Sequence, residues 1–400
     1  MITVSRLVLD HFRSWTHCMF DFTPGVNILQ GANGRGKTNI VEALEVLSTG
    51  SSHRASSSLP LVQRGFQTAT IRANIEEQKS NNEDSTTTFE LTIRARGANR
   101  ARINGGASIY MRDIIGKIPF IAFTPDDQRL VWGDPAVRRH FIDQTAAVLV
   151  RGYAQRLQQF THIAKQRAAL LKQLGSQDGD VQRDAALSGL EIWTGQFIDI
   201  GSQITRDRNH MIELLNTFFG SIVRELSDDA EEARLVYEPS FDELLTMASN
   251  DEAYAAISAH FQRIYPGEVA RGVNLIGPQR DDVSIELNGM PAREYSSNGE
   301  SWTLALAMKM AVYRLLEQEH GERPIVVLDD VFAQLDPTRR AKIMEFAAKQ
   351  DQVLITAAAQ SDVPQFADAN VIDVAHVAAQ SDDDPLLKQA AQAAKRGSAA

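Results

Sequence analysis

The sequence has almost no cysteine, no long apolar run and no excess of positive charge. A single cysteine, Cys18, in 400 residues excludes an internal disulfide framework and favours a reducing compartment. No apolar run approaches the roughly 20 residues of a membrane span. Charges recur every few residues in MITVSRLVLDHF, so we expect no signal peptide. The formal net charge of −10 disfavours a general attraction to nucleic acid but allows a local basic face. We therefore expect a soluble, cytoplasmic protein without a membrane partner.

The stretch LQGANGRGKTNIVEAL contains the pattern G-x-x-x-x-G-K-[ST], formed by Gly31, Gly36, Lys37 and Thr38. The apolar segment VNIL precedes it, and apolar residues at helical spacing follow it. Glycines let the backbone curl around a polyphosphate, and the N–H groups of a helix N-terminus attract the anion. We expect Lys37 to reach the β- and γ-phosphates and Thr38 to ligate Mg²⁺. A chance glycine turn is the alternative, and the strand–loop–helix context disfavours it.

A second pattern, PIVVLDDVFAQLD, places two aspartates directly after a buried strand. Asp329 would hold Mg²⁺, and Asp330 would orient and deprotonate the attacking water. An aspartate pair at a strand end can also cap a helix. The phosphate-binding loop elsewhere in the chain favours the functional interpretation.

A third pattern, EYSSNGESWTLALAMKMA, begins a long amphipathic helix. Ser297 and Glu300 have the spacing of a capping box. Alternatively, Ser297 and Gly299 at a helix N-terminus would form a second anion site. One chain would then own two γ-phosphate binders, which is sensible if two protomers share each ATP.

The order of patterns along the chain predicts a β-rich beginning, a helical middle and a return to strands. TATIRANI and TTTFELTIRARGANRARING predict strands with a hairpin turning at Gly97-Ala98-Asn99, and KSNNEDSTTT between them predicts a polar loop. Two apolar stripes at helical spacing, one interrupted by Arg167, predict an antiparallel helix pair within 136–219. VNLI and QVLIT read as further strand segments.

Six motifs in this order resemble those of ABC-type ATPase heads, and specifically those of the bacterial RecF family. They are HFRSW, GANGRGKTN, FTPDDQRLVWGDPAVRRHFID, GPQRDDVSIELNG, YSSNGESWTLALAMKMA and LDDVFAQLD. The resemblance extends to about residue 376. It implies an α/β fold, an ABC-type ATPase head with a mixed β-sheet lobe I and a helical lobe II insertion.

The resemblance also implies a division into segments. Residues 1–135 would form the N-terminal part of ATPase domain I, and 136–270 a helical domain II. Residues 271–376 would form the C-terminal part of the ATPase domain, with the signature loop and the aspartate motif PIVVLDDVFAQLD, whose end is the D-loop. The low-complexity segment 377–400 would be a disordered tail.

Residue roles follow from the same resemblance. Phosphate and nucleotide contacts would come from Gly31, Asn33, Gly34, Gly36, Lys37, Thr38, Asn39 and Arg54. Thr38 and Asp329 would hold Mg²⁺, and Asp330 and Lys37 would be the catalytic residues.

Other residues would act across a dimer. Ser297 and Gly299 would contact the γ-phosphate held by the opposite protomer, and Asp336 would lie at the dimer seam. The sequence departs from the family pattern at four positions, Arg35, Gln279, Glu300 and Trp302. A carboxylate at position 300 is unfavourable beside a γ-phosphate unless it caps its own helix.

The resemblance implies ATP-dependent DNA binding in recombinational repair, replication-fork maintenance and the SOS response. The chain would dimerise on ATP at gapped DNA or single-strand/duplex junctions, and assist RecO and RecR in loading RecA. ATP hydrolysis would be weak, DNA-stimulated and used as a switch. Three basic clusters are candidate phosphate contacts, with solvated helix faces as the alternative: Arg138-Arg139-His140, Lys165-Gln166-Arg167, and Arg206 with Arg208.

Two rival functions stay open. An SMC or Rad50-like chromosome ATPase shares this type of head, but its arms are very long coiled coils, and the helical insert here is too short for them at ~1.5 Å per residue. A regulator that uses ATP only as a switch, without DNA-stimulated hydrolysis, is the second rival.

Overall fold

The structure is a computed structural model that describes residues 1–55, 57–78, 84–176, 180–227, 231–358, 366 and 368–383. The strands are β1 Ile2–Phe12, β2 Trp15–Asp21, β3 Gly25–Gln30, β4 Thr68–Gln78, β5 Asp84–Arg94, β6 Arg100–Ile103, β7 Ile109–Tyr110, β8 Phe120–Phe123, β9 Ala233–Glu238, β10 Asp282–Leu287, β11 Met290–Pro291, β12 Ile325–Asp329, β13 Gln352–Ala357 and β14 Asn370–Asp373. The helices are α1 Lys37–Thr49, α2 Arg129–Trp132, α3 Pro135–Leu149, α4 Tyr153–Ser176, α5 Asp180–Leu226, α6 Glu243–Thr246, α7 Asn250–Arg271, α8 Ala292–Tyr295, α9 Asn298–His320, α10 Pro337–Ala348 and α11 Val374–Asp383.

The chain packs as two compact units. The first comprises Met1–Asp127 and Val312–Ala400, and the second comprises Gln128–Ala311. Residues 271–311, which carry the signature loop, cluster with the second unit. The sequence-based division had placed them with the C-terminal part of the ATPase domain.

The first unit contains two sheets that enclose α1. A six-stranded antiparallel sheet has the order β2-β1-β4-β5-β6-β7, and a five-stranded parallel sheet has the order β14-β3-β13-β12-β8. Helix α1 contacts strands of both sheets, and its apolar face, including Ile40 and Leu44, is buried. The α/β head fold predicted from the motifs is confirmed, with its mixed strands separated into one parallel and one antiparallel sheet.

The parallel sheet brings distant motifs to one edge. The carboxyl ends of parallel strands meet at the same edge of a sheet, where ligands of open α/β folds bind. The register pairs Asp329 of β12 with Thr356 of β13, and Thr356 with Leu29 of β3. The glycine loop that follows β3 therefore emerges level with the aspartates that follow β12.

The second unit is mainly helical, with the small antiparallel sheet β11-β10-β9. Helices α4 and α5 form the predicted antiparallel pair, since Arg156 contacts Asp207 and Arg167 contacts Thr194. The charged residue that interrupts the first apolar stripe, Arg167, is buried in an ion pair with Glu268 of α7.

Several local expectations need correction. Residues 84–88 of the stretch expected to be a polar loop begin β5, since their backbone pairs with β4, and 79–83 lie outside the described residues. The VNLI segment is not a strand. Residues 377–383 of the expected disordered tail continue α11, with Val377 and Ala378 packed on the core, while 384–400 lie outside the described residues. Among the helices that the structure describes, none has the length and apolar character to cross a membrane.

Candidate nucleotide site

The glycine loop has the backbone that its sequence predicts. Gly34 and Gly36 have φ values of +80° and +89°, in the left-handed region that favours glycine. Lys37 is the first residue of α1, and its buried ammonium donates to the Gly31 carbonyl at 2.7 Å. It also lies 3.4 Å from Asn33 Oδ1. The loop thus curls around its own lysine, whose charge is held where an anion would meet the helix N-terminus.

Trp15, the last residue of the HFRSW motif, supports this loop. Its indole Nε1 donates to the Gly36 carbonyl at 3.2 Å. A Cβ at position 36 would lie 2.9 Å from both Trp15 Nε1 and Ser14 Oγ. The glycine is therefore required by close approach as well as by its backbone angle. The contact joins residues 21 positions apart, and no local periodicity could have revealed it.

Two threonines hold the strand-end aspartates, one in the first turn of α1 and one in β13. Thr38 Oγ1 donates to Asp329 Oδ1 at 3.3 Å, although 291 positions separate them. Thr356 Oγ1 donates to the same oxygen at 2.6 Å and accepts from the Asp330 N–H at 2.9 Å. Thr356 therefore links both aspartates.

The environment of Asp329 is suited to a cation. Burial raises the pKa of its carboxyl above the ordinary value, the Thr356 hydrogen bond opposes this shift, and the nearby Asp330 carboxylate adds to it. A hard divalent cation would offset the desolvation of this carboxylate. Thr38 and Asp329 supply neighbouring oxygen ligands of the type that Mg²⁺ prefers. The residues present fit Mg²⁺.

Asp330 has an unusual backbone for a residue with a side chain. Its φ of 50° lies in the left-handed region, and it is only partly buried. Such conformations cost roughly 1–3 kcal/mol and cluster at functional sites. The Thr356 hydroxyl accepts from the backbone N–H of this residue and holds the backbone at the strand end.

Arg54 and Asn39 lie beside the first turn of α1, around a buried carboxylate. Glu42 is fully buried and accepts from Arg13 Nε at 2.9 Å and Arg54 Nη1 at 3.2 Å. Arg54 Nη1 also donates to Asn39 Oδ1 at 2.9 Å. Arg13, Asn39 and Arg54 line a cleft of about 640 Å³ together with Ser14, residues 59–60 and residues 62–66. The predicted nucleotide residues of α1 and the following loop are thus brought together with the HFRSW motif.

The signature loop lies in the second unit, where it forms the predicted capping box. The Ser297 N–H donates to Glu300 Oε2 at 2.6 Å, and the Glu300 N–H donates to Ser297 Oγ at 3.2 Å. The carboxylate at position 300 is therefore turned onto its own helix terminus. Gly299 occupies the first turn of α9, and Trp302 is buried at 8% exposure. Trp302 is a core residue, which explains why this position tolerates an apolar side chain.

The basic clusters proposed as phosphate contacts contain three buried arginines, Arg138, Arg167 and Arg208, and for these three the prediction is wrong. Arg138 is buried against Asp282, Arg167 against Glu268, and Arg208 against Asp143 and Asp281. Arg139 donates to the Asp281 carbonyl, and Arg206 to Asn250. A buried guanidinium requires a carboxylate partner, and these partners lie far away in the sequence. Of the clusters, only His140 and Lys165 are exposed.

Asp336 has a local structural role. Its Oδ1 accepts from the N–H groups of Thr338 and Arg339, each at 3.0 Å, so it caps α10. These hydrogen bonds lower the pKa of its carboxyl. Its place at a dimer seam stays a prediction.

A phosphate-binding loop, strand-end aspartates at the same sheet edge and a helix-opening signature loop define a P-loop ATPase head of the ABC type. A family model described as RecF/RecN/SMC N terminal domain matches residues 3–381. The chain belongs to the RecF family.

Individual relatives support the same family. The DNA replication and repair protein RecF of Bifidobacterium adolescentis is 61% identical over 400 residues, covering 98% of this chain and 97% of the relative. RecF of Streptomyces avermitilis is 37% identical over 361 residues, covering 90% of this chain and 95% of the relative. A solved structure described as the recombination mediator protein RecF with ATP in the RecFOR pathway has a TM-score of 0.81 and 25% identity, covering 93% of this chain and 96% of that chain.

Proposed function

We propose that this protein binds ATP and Mg²⁺ and acts in DNA replication and repair. The observation that carries the proposal is the contact of Thr38 with Asp329, which joins the helix of the glycine loop to the distant strand end. Lys37 and the loop N–H groups would hold the β- and γ-phosphates. Thr38 and Asp329 would ligate Mg²⁺, which would neutralise charge on the phosphates. The cleft beside Asn39 and Arg54 offers room for the nucleoside.

Asp330 is placed to serve as the general base of ATP hydrolysis. It follows the Mg²⁺ ligand directly, is partly exposed, and has a backbone fixed by Thr356. A carboxylate there would orient the attacking water and accept its proton. Hydrolysis would be weak and stimulated by DNA. It would act as a switch that ends the ATP-bound state, and not as a source of mechanical work.

Replacing Asp330 with Asn tests this role. The variant keeps the shape of the side chain but not its charge or basicity, so ATP affinity should stay within about twofold while turnover falls ~100- to 10,000-fold. The ATP-bound dimer should persist correspondingly longer. Phosphate release measured with and without DNA gives the turnover, and Asp21→Asn, on the surface beside Arg6, is the matched control.

If Asp330→Asn hydrolyses ATP at the normal rate, Asp330 is not the general base. If the unsubstituted protein binds ATP but releases no phosphate even with DNA, the chain is the ATP-switch regulator considered as a rival.

Two copies would complete each nucleotide site. Ser297 and Gly299 open α9 in the second unit, and a helix N-terminus attracts anions. Each would contact the γ-phosphate held by the loop of the opposite protomer, giving an ATP-dependent homodimer. Since Glu300 already bonds the Ser297 N–H, its charge is partly neutralised by its own helix. We expect ATP-driven dimerisation to be weaker than with a neutral residue there.

The dimer would bind gapped DNA or single-strand/duplex junctions, and would assist RecO and RecR in loading RecA. This part of the proposal is supported by the RecF relatives, which are described as DNA replication and repair proteins, and by the RecFOR description of the ATP-bound structure. Light scattering with and without ATP on gapped DNA tests nucleotide, dimer and DNA together. An ATP-dependent complex containing two protein copies is the expected result.

A further inference from the structure

The hairpin β5–β6 and the following strand β7 carry an unusual concentration of positive charge. Residues 94–117 contain six cationic side chains and one carboxylate, a net charge of +5 in a chain whose total is −10. We define the hairpin patch as Arg94, Arg96, Arg100 and Arg102. All of it lies in the first unit.

The strand register places much of this charge on one face. In β5, Leu91 and Ile93 are buried and Arg94 is exposed; in β6, Ala101 is buried and Arg102 is exposed. Leu91 pairs with Ala101, so the arginines alternate to the opposite, outer face of the sheet. Residues two apart along a strand are separated by about 7 Å. The guanidinium groups therefore form a spaced array and not a single point of charge.

Neighbouring charged side chains on this sheet already have partners of opposite charge. His17 contacts Asp10, and Arg72 contacts both Asp10 and Glu90, at 2.6 to 2.7 Å. Glu90 is the residue opposite Arg102 in the ladder, but its carboxylate accepts from Arg72. In the part of the chain that the structure describes, Arg94, Arg96, Arg100 and Arg102 form no ion pair. Their charge is a surplus.

An aromatic ring orders the edge of the patch. Tyr110 in β7 pairs with Arg100 in the ladder and is 42% exposed. The guanidinium carbons of Arg100 and Arg112 lie 4.0 and 4.4 Å from its ring centroid. A guanidinium in cation–π contact with an aromatic ring keeps its positive charge. Tyr110 therefore restricts the Arg100 side chain while leaving its charge available to a ligand.

From these observations we propose that the hairpin patch binds backbone phosphates of DNA. Guanidinium groups match phosphate geometry, and phosphate contacts carry most of the electrostatic affinity for DNA. Arg138, Arg167 and Arg208 of the helical clusters are each paired with an internal carboxylate, whereas the four patch arginines have no such partner in the part of the chain that the structure describes. This assignment rests on the proposed function, because it names the surface with which the protein would hold DNA.

The test compares two triple variants that remove the same charge. Arg94→Gln, Arg96→Gln and Arg100→Gln together remove surplus patch charge. The control combines Arg6→Gln, Arg234→Gln and Arg314→Gln, whose guanidinium groups each face a surface carboxylate, Asp21, Glu286 and Glu317 respectively. Binding of a duplex with a gap is measured with ATP over a range of salt concentrations, after nucleotide titration has shown equal ATP affinity.

A plot of log affinity against log salt has a negative slope. In the patch variant this slope should become less steep by about 0.9 for each duplex phosphate contact removed. With three contacts, its gain in affinity from 200 to 50 mM salt should be roughly 40-fold smaller than that of the unsubstituted protein. The control should keep the original slope. Arg96→Gln alone, in the exposed turn, should make the slope less steep by about 0.9 and repeats the test with a single surface change.

The outcomes separate the two proposals. If the unsubstituted protein and the control bind DNA and the patch variant shows the same slope, the patch assignment is overturned. If the unsubstituted protein itself binds no DNA with ATP, the proposed function has failed, and the patch assignment fails with it.

Discussion

Lys37→Ala should lower ATP affinity by about 100-fold. A charged hydrogen bond contributes ~1.5–3 kcal/mol, and the upper end applies because the ammonium is buried and held at the loop. In the structure, Lys37 donates to the Gly31 and Ala32 carbonyls, so its removal deletes the positive charge at the centre of the loop. Isothermal titration with ATP and Mg²⁺ measures the change.

Lys349→Ala is the matched control for this experiment. Lys349 is a surface lysine paired with Glu345, and its removal makes the same change in net charge. Its ATP affinity should equal that of the unsubstituted protein. If Lys37→Ala also binds ATP within twofold of the unsubstituted protein, the glycine loop is not the phosphate site.

Glu268→Ala should destabilise the second unit by ~3–5 kcal/mol, because it leaves a buried guanidinium unpaired. Glu268 is fully buried and accepts from Arg167 Nη2 at 2.6 Å, Arg167 Nη1 at 2.9 Å and the Leu275 N–H at 2.9 Å. Within the described residues, Thr194 and Asn274 are the hydrogen-bond partners that Arg167 keeps in the variant. Urea denaturation at constant m-value measures the free energy of unfolding.

Two further variants separate burial from charge. Glu286→Ala breaks the surface pair with Arg234 and should cost no more than about 1 kcal/mol. Arg167→Met combined with Glu268→Met should recover most of the stability lost by Glu268→Ala, since neither charge remains. Equal losses for Glu268→Ala and Glu286→Ala would contradict the structural role of the buried pair.

The parts of the site that sequence predicted are those that depend on local spacing. The positive-φ glycines, the lysine that opens α1, the strand ending at Asp329 and the capping box of Ser297 with Glu300 each lie within a few residues. Backbone geometry and hydrogen bonding at this range follow directly from residue type. The structure adds that Thr38 and Asp329 are in contact, which the parallel register determines.

The parts that sequence could not predict depend on contacts between distant residues. Arg167 and Glu268 are 101 positions apart, and only their packing shows that the charge in the first helical stripe is neutralised internally. Arg138, Arg167 and Arg208 are therefore parts of internal ion pairs, which their sequence clusters did not reveal. The support of Gly36 by Trp15, and the double role of Thr356, likewise require the sheet order to be known.

The most direct measurement of the central claim mixes two inactive variants. Ser297→Arg keeps its phosphate loop but blocks its signature loop, and Lys37→Ala does the reverse. With ATP, light scattering should show each variant alone as a monomer. Their mixture should form dimers, because one of the two sites then combines an intact loop from one copy with an intact signature from the other. A mixture that stays monomeric while the unsubstituted protein dimerises would contradict a shared site.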